Sequence, residues 1–400
     1  MSRYVSGCYL YLVIFFLNHY RTVFFDSGGV VSQIVSALGL VWSGCCFVYV
    51  NWKYKLPSFF VLLNLFLLMI TVYGISHLFS TEKFYITEYD IQLVNNRNYM
   101  FNVYHSLLPV YAIYYYVRKD KLLMNDIFRI VIILLILNTI SYWVNYRRQL
   151  LEALILGIDR DEFTSNIGYL FLSVVPLLFL MNDRRNIQYA FLMYSLYYIL
   201  ISMKRGAILI GFLSMIYFFI VRLKNSSKRE RYIIISLTIC IIVLGFYFAQ
   251  SFYSSSDYFQ MRLENSLSGN VSSRQEFYPK LIDYFIYNTT WIQFLLGSGA
   301  DYTIRIIGNY AHNDWLEIAI NNGLLGILVY LSLFVAMFRS YKSQKNAPIY
   351  IHNALFIALI IVFMKTLFSM SYANIDPGLS ICMGFCFAYK SVNSDKNGRN

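Results

Sequence analysis

The chain has 400 residues, of which 58% are hydrophobic and only 14% charged, and its mean hydropathy is +0.52. Soluble domains carry roughly 25% charged residues, so the composition excludes an ordinary water-soluble globule. The net charge of +12 is spread as a topology signal and not as a nucleic-acid-binding patch.

Runs of about 17–25 apolar residues are long enough to cross a bilayer as helices. In chain order such runs fall at 4–20, 30–50, 57–80, 99–117, 124–145, 165–182, 187–203, 205–223, 232–249, 315–338, 349–370 and 376–390. They predict an all-α polytopic membrane protein of about twelve spans, one domain over 1–400. The first run is read as a span and not as a cleavable signal, because no small-residue cleavage site follows it. Lysine and arginine concentrate in cytoplasmic loops. One alternate set of loops holds 19 of them and the other, far longer set holds 12. Both termini are therefore expected inside.

The six cysteines lie within or beside the spans, and Cys382 and Cys386 share a helix face, which suits helix packing better than a metal or disulfide. The "DRD" at Asp159–Asp161 has the form of a nucleotide-sugar metal motif, but it falls in an external loop, and no metal site is assigned. Arg129 and Lys365 fall inside predicted spans; Arg129 is near enough to a cytoplasmic end to snorkel, and Lys365 lies toward the outer end, where it is placed to hold an anionic lipid.

The long departure from the membrane is 250–314, on the outside by the charge count. It is serine-rich at first, reads as a helix through "PKLIDYFIYNTTW", turns at "GSGADY" and delivers "GNYAHNDWLEIAINNGLLG". Long loops in compact proteins are usually functional. A helix through "AHNDWLEIAINNG" places His312, Leu316 and Ala319 on one face, with Asn313 or Asp314 as the cap. A structural hydrogen bond is the ordinary role of a lone histidine. His312, however, sits at the outer membrane boundary with polar neighbours, where an imidazole with an unperturbed pKa of about 6.5 can take a proton from a hydroxyl. Arg205 begins the eighth span and Arg274 lies in the large loop. Either suits a lipid headgroup, and both suit phosphate, which the guanidinium binds without deprotonating. Tyr302, Tyr310 and Trp315 are candidates for sugar stacking or membrane anchoring. Gly297 and Gly299 are best read as a turn closing a helix.

The sequence "SSRQEFYPKLIDYF", then "LLGSGADY", then "HNDWLEIAINNGLLGIL", with "KRGAIL" upstream, resembles the O-antigen polymerase and O-antigen ligase superfamily. The similarity covers 204–206 and 270–328. The resemblance implies a metal-independent glycosyltransferase without cofactor in the bacterial inner membrane, its active site facing the periplasm. Donor and acceptor would be undecaprenyl-diphosphate-linked glycans, and a flippase and a chain-length regulator would be its pathway partners. His312 would be the general base, with Arg205 and Arg274 on the diphosphate. Asn313 would orient the site, and Asp314, Glu317, Tyr310 and Trp315 would contact sugar. A polymerase is preferred to a ligase transferring glycan to lipid A-core, since a ligase needs one particular acceptor and polymerases vary more in sequence. The other class, a lipid-oligosaccharide flippase, would predict two related halves and polar residues lining the middle of many spans; the sequence shows neither.

Overall fold

The computed structural model describes residues 3–26, 29–78, 96–156, 166–181, 184–202, 204–224, 274–343, 347–369 and 375–397, with Ser371, Tyr372 and isolated positions between 226 and 264. Every regular element among them is helical. The membrane-region helices are α1 (Arg3–His19), the short α2 (Arg21–Phe24), α3 (Val30–Lys53), α4 (Ser58–Leu78), α5 (Asn96–Arg118), α6 (Met124–Leu156), α7 (Ile167–Leu180), α8 (Arg185–Ile201) and α9 (Arg205–Lys224). The loop segment contributes α10 (Arg274–Asp283), a π-helical turn (Tyr284–Asn288), α11 (Trp291–Leu296) and α12 (Tyr302–Ile307). The chain then returns through α13 (Asp314–Lys342), α14 (Ile349–Phe368) and α15 (Pro377–Asn397). The apolar run at 232–249 and the "DRD" at 159–161 lie wholly or largely outside the described residues.

Among the described residues six helices are long and apolar enough to cross a membrane: Val30–Lys53, Ser58–Ser76, Met124–Arg148, Arg205–Lys224, Asp314–Lys342 and Ile349–Phe368. Shorter apolar helices occupy Gly7–His19, Ile167–Leu180 and Pro377–Tyr389. The packing agrees with lipid as solvent. In α3 the small or slender residues Ser32, Gly39, Ser43 and Cys46 face the bundle, while Leu38, Val41 and Val48 are exposed. In water that outward stripe would be an aggregation surface; in a bilayer it meets its own kind, and small inward residues let helices approach closely. The chain is an all-α membrane protein. At its centre runs α7, whose residues are almost all buried and which packs against α6, α8, α9, α14 and α15.

Helix α13 is broken. Gly323 has φ 66° and ψ −163° inside it, a conformation open essentially to glycine alone. The break frees main-chain acceptors, and the turn after α11 uses them: Ser298 N–H donates to Ile320 C=O at 2.8 Å and Gly299 N–H to Asn321 C=O at 3.1 Å. Gly297, the C-cap of α11, has φ 86°, so the G-x-G segment is the helix-closing turn its sequence suggests. The helix expected across 279–291 is interrupted. It begins earlier, at Arg274, and ends before Thr289, because Thr290 starts α11 with a capping box: its Oγ1 accepts from Gln293 N at 3.3 Å and its own N–H donates to Gln293 Oε1 at 3.0 Å.

Candidate functional site

The site grows from the start of α13. Asn313 is the N-cap, its Oδ1 accepting from the N–H groups of Trp315 at 3.0 Å and Leu316 at 3.2 Å. Of the two capping candidates, the sequence segment uses Asn313. Because the helix starts after this cap, His312 is not on a helix face with Leu316 and Ala319 as the 3.6-residue period suggested. It lies in the preceding turn with φ 51°, and it is exposed. A left-handed residue other than glycine is uncommon, and histidine is among those that tolerate it.

Two buried carboxylates hold that turn. Glu317 accepts from Ala311 N–H at 2.9 Å, from Thr303 Oγ1 at 2.5 Å and from Asn321 Nδ2 at 3.2 Å. It thus laces the residue before His312 and helix α12 onto α13, while Asn321 Oδ1 accepts from Tyr302 N–H at 3.0 Å. Asp314 accepts from Tyr330 Oη at 2.6 Å and from the N–H groups of Ser371 at 2.8 Å and Tyr372 at 3.2 Å. It fastens the start of α13 to the loop between α14 and α15. Both carboxylates, expected to touch sugar, are fully buried and occupied by protein donors, so in this structure they act on the fold around His312. Trp315 Nε1 donates to Thr366 Oγ1 at 3.0 Å, and its ring lies 5.2 Å from that of Tyr330; this indole is a strut to α14. Tyr310 is half-buried beside His312.

The arginines are brought to the same framework. Helix α10, which begins at Arg274, packs on α12 and α13 through a small core of Leu281, Ala311 and Ile320, flanked by Tyr284, Tyr302 and Leu316. Arg205 is exposed at the first turn of α9. Its neighbour Gly206 is pressed so tightly to Tyr169 Oη and Phe368 that an added Cβ would lie 2.7 Å from Phe368 Cβ. Phe368 precedes the loop whose amides hold Asp314. Arg205, His312 and the α10 segment therefore share one end of the bundle through named contacts.

Asp301, buried at the left-handed position before α12 (φ 57°), has its carboxyl pushed up to about 7, first by burial and then by the Glu317 carboxylate. A raised carboxyl pKa favours folding below the ordinary value of 3.8 and withdraws stability as pH climbs from there through about 7. Asp301→Asn keeps a side chain that tolerates this backbone and removes the charge. Thermal unfolding of the detergent-solubilised variant against wild type should show a melting-temperature gain that is absent at pH 4 and grows to a plateau above pH 7; a constant difference across that range would refute the assignment.

The sequence reading passed over a second feature. At the same end of the bundle a cavity of about 460 Å³ is lined by residues from α1, α2, α5, α6, α7, α14 and the segment between α14 and α15. Lys365, expected to hold an anionic lipid, is instead 1% exposed, its Nζ 2.7 Å from Asp376 Oδ2, and both line this cavity. The available signal was that Asn18, His19, Asn102, His105, Asn145 and Asn166 all stand toward those ends of the runs 4–20, 99–117, 124–145 and 165–182 that the charge count assigns to the outside.

The described residues thus form a helical membrane protein with an exposed histidine turn, two helices that begin at arginine and a polar cavity at one end. Residues 190–331 match the family model described as O-antigen ligase. The match takes in Arg205, Arg274 and His312 and supports the resemblance of this segment to the O-antigen polymerase and ligase superfamily and to polysaccharide biosynthesis. No curated protein matches the chain.

Proposed function

We propose that the protein is a glycosyltransferase of the outer face of the bacterial cytoplasmic membrane that polymerises undecaprenyl-diphosphate-linked repeat units into a surface polysaccharide. His312 accepts the proton of the acceptor hydroxyl as that oxygen attacks the anomeric carbon of the donor. The bond from that carbon to the lipid diphosphate breaks, and the diphosphate leaves as an anion against Arg205 and Arg274. General-base assistance is typically worth about 10²–10⁴ in rate, and preorganised cations facing the leaving charge often contribute more. The observation that carries the reading is the exposed His312 turn, held from both sides by the buried Glu317 and Asp314. Such a turn is built to keep one side chain in place at low reorganisation cost. The charge count, which assigns this end of the bundle to the outside, supports the orientation.

A ligase reading has its own support in the description of the matched family. Deletion of the gene followed by gel analysis of surface glycan separates the two: a single repeat unit on the lipid core indicates the polymerase, and a bare core with retained lipid-linked polymer indicates the ligase. Complementing the deletion with Arg205→Lys or Arg274→Lys should restore less than about a tenth of the polymer, because lysine cannot reproduce bidentate phosphate contact. Full restoration by either variant would remove that arginine from the site.

A further inference from the structure

We propose that the cavity bounded by α1, α5, α6, α7 and the 369–376 loop binds the acceptor oligosaccharide, a hydroxyl-rich glycan distinct from the donor diphosphate. This deepens the transferase reading and rests on it for the word acceptor. Polar side chains within an apolar helical bundle are costly, and they persist where they line a water-filled or ligand-filled space. Here the buried Ser106, Ser141, Lys365 and Asp376 and, nearer the rim, the amides of Asn102, Asn145 and Asn166 line a space whose volume falls within the roughly 300–1,000 Å³ of small-molecule sites. Amides supply both donors and acceptors, which suits hydroxyl groups that do both.

The charged and basic groups of the lining differ in how far their partners occupy them. Lys365 is neutralised by Asp376 at 2.7 Å and lies 5.1 Å from the centre of the Tyr169 ring. His105 is held at both nitrogens, Nδ1 by Asn18 Nδ2 at 3.2 Å and Nε2 by Ser36 Oγ at 2.9 Å. With Asn18 donating to Nδ1, the ring proton sits on Nε2 and points to Ser36, so His105 is committed to the wall. Arg21 also donates to Ser36 Oγ, at 3.1 Å, its one hydrogen-bond acceptor among the described residues. A guanidinium has five N–H donors in a fixed fork. Those not spent on Ser36 give the cavity a set of cationic donors for glycan oxygens.

The cavity draws no lining residue from α9 to α13, the segments that carry Arg205, Arg274 and His312, so it is a compartment separate from the proposed diphosphate site. It nevertheless adjoins that site. Ser369, Ile375 and Asp376 line the cavity, and the intervening Ser371 and Tyr372 hold Asp314, two residues after His312. Tyr169 lines it too and touches Gly206, next to Arg205. A glycan seated there would end beside the base.

The test uses the purified full-length protein in lipid nanodiscs and, as probe, the oligosaccharide repeat unit released by mild acid from the host's own surface polysaccharide. Asn145→Phe fills the cavity, and Arg21→Gln removes its cation; Asn145→Ala, which leaves the space open, guards against misfolding. Binding of the probe, measured in the His312→Ala background so that no turnover intervenes, should weaken at least about tenfold for Asn145→Phe and for Arg21→Gln, the loss of a charge-assisted hydrogen bond in the latter, and little for Asn145→Ala. In turnover assays the first two changes should raise the KM for acceptor and leave the KM for donor unchanged. Unaltered probe binding in both folded variants overturns the proposal, as does a rise confined to the donor KM, which would assign the cavity to the lipid-linked donor. Probe binding that obeys the pattern in a protein showing no transfer at all would retain a glycan site while defeating the transferase reading.

Discussion

His312→Asn should abolish polymer formation while the protein inserts and accumulates as wild type does. Asparagine, like histidine, tolerates the left-handed backbone found at this position, so the substitution removes the base without asking the turn to move. His312→Ala makes the same chemical deletion at some backbone cost. Loss of a general base is worth about 10²–10⁴ in rate, enough to turn a ladder of polymer lengths into a single short band on a surface-glycan gel. Because the side chain is exposed and the turn is held by Glu317 and Asp314 through other residues, thermal stability should stay close to that of wild type. Long-chain polysaccharide from the asparagine variant would end the case for His312 as base.

Gly323→Ala should be the most damaging small substitution in the chain. An added Cβ there would meet Gly297 N and lie 2.7 Å from the carbonyl carbon of Leu295. These are main-chain atoms, unable to swing aside as a side-chain tip would. The backbone conformation alone costs of order 1–3 kcal/mol for a non-glycine residue, before the collision is counted. Gly297→Ala strikes the same junction from the other side, its Cβ running into Asn321 C=O. Both should lower the melting temperature, open the segment between α11 and α13 to protease in intact spheroplasts, and eliminate polymer. Gly308→Ala is the matched control. Its φ is also positive, at 70°, but nothing lies within 4 Å of the added Cβ, and the cost should stay near the roughly 1–2 kcal/mol of left-handed strain. Equal behaviour of Gly323→Ala and Gly308→Ala would show that the close approach does not matter.

Much of the helical frame was legible because the bilayer imposes a simple rule: long apolar runs become helices. Eleven of the twelve runs coincide with described helices, and the remaining one lies largely outside the described residues. The local chemistry of the site was legible only in part. The G-x-G turn and the asparagine cap carry short-range signals, and both occur where the sequence suggests. The placement of His312 was only half legible, since the sequence offered Asn313 or Asp314 as the cap while the 3.6-residue period ran on through both and carried His312 onto the helix face. The roles of Asp314 and Glu317 were hidden for a different reason. Their partners, Tyr330, Ser371 and Tyr372 for one and Thr303 and Ala311 for the other, are distant in sequence or supply main-chain amides, and neither kind of partner leaves a motif. Lys365 and Asp376 sit eleven residues apart across a helix end, outside the reach of any helical pairing rule. The cavity arises from several elements at once, and apart from Lys365 each contributes a polar residue that is unremarkable alone.

The contact between the broken helix and the turn after α11 is made by amides and carbonyls, with the absent side chains of Gly297 and Gly323 as its only compositional demand. A joint of that kind is indifferent to what the neighbouring side chains are. The exposed Ile286, Tyr287, Trp291 and Ile292, which take no part in the capping box of Thr290 and Gln293 or in the small core beside Tyr284, can therefore be exchanged without shifting the register that delivers His312. The fold separates a fixed hinge-pin from a replaceable face, and an enzyme redesigned for a new glycan would best keep the two glycines and rewrite what surrounds them.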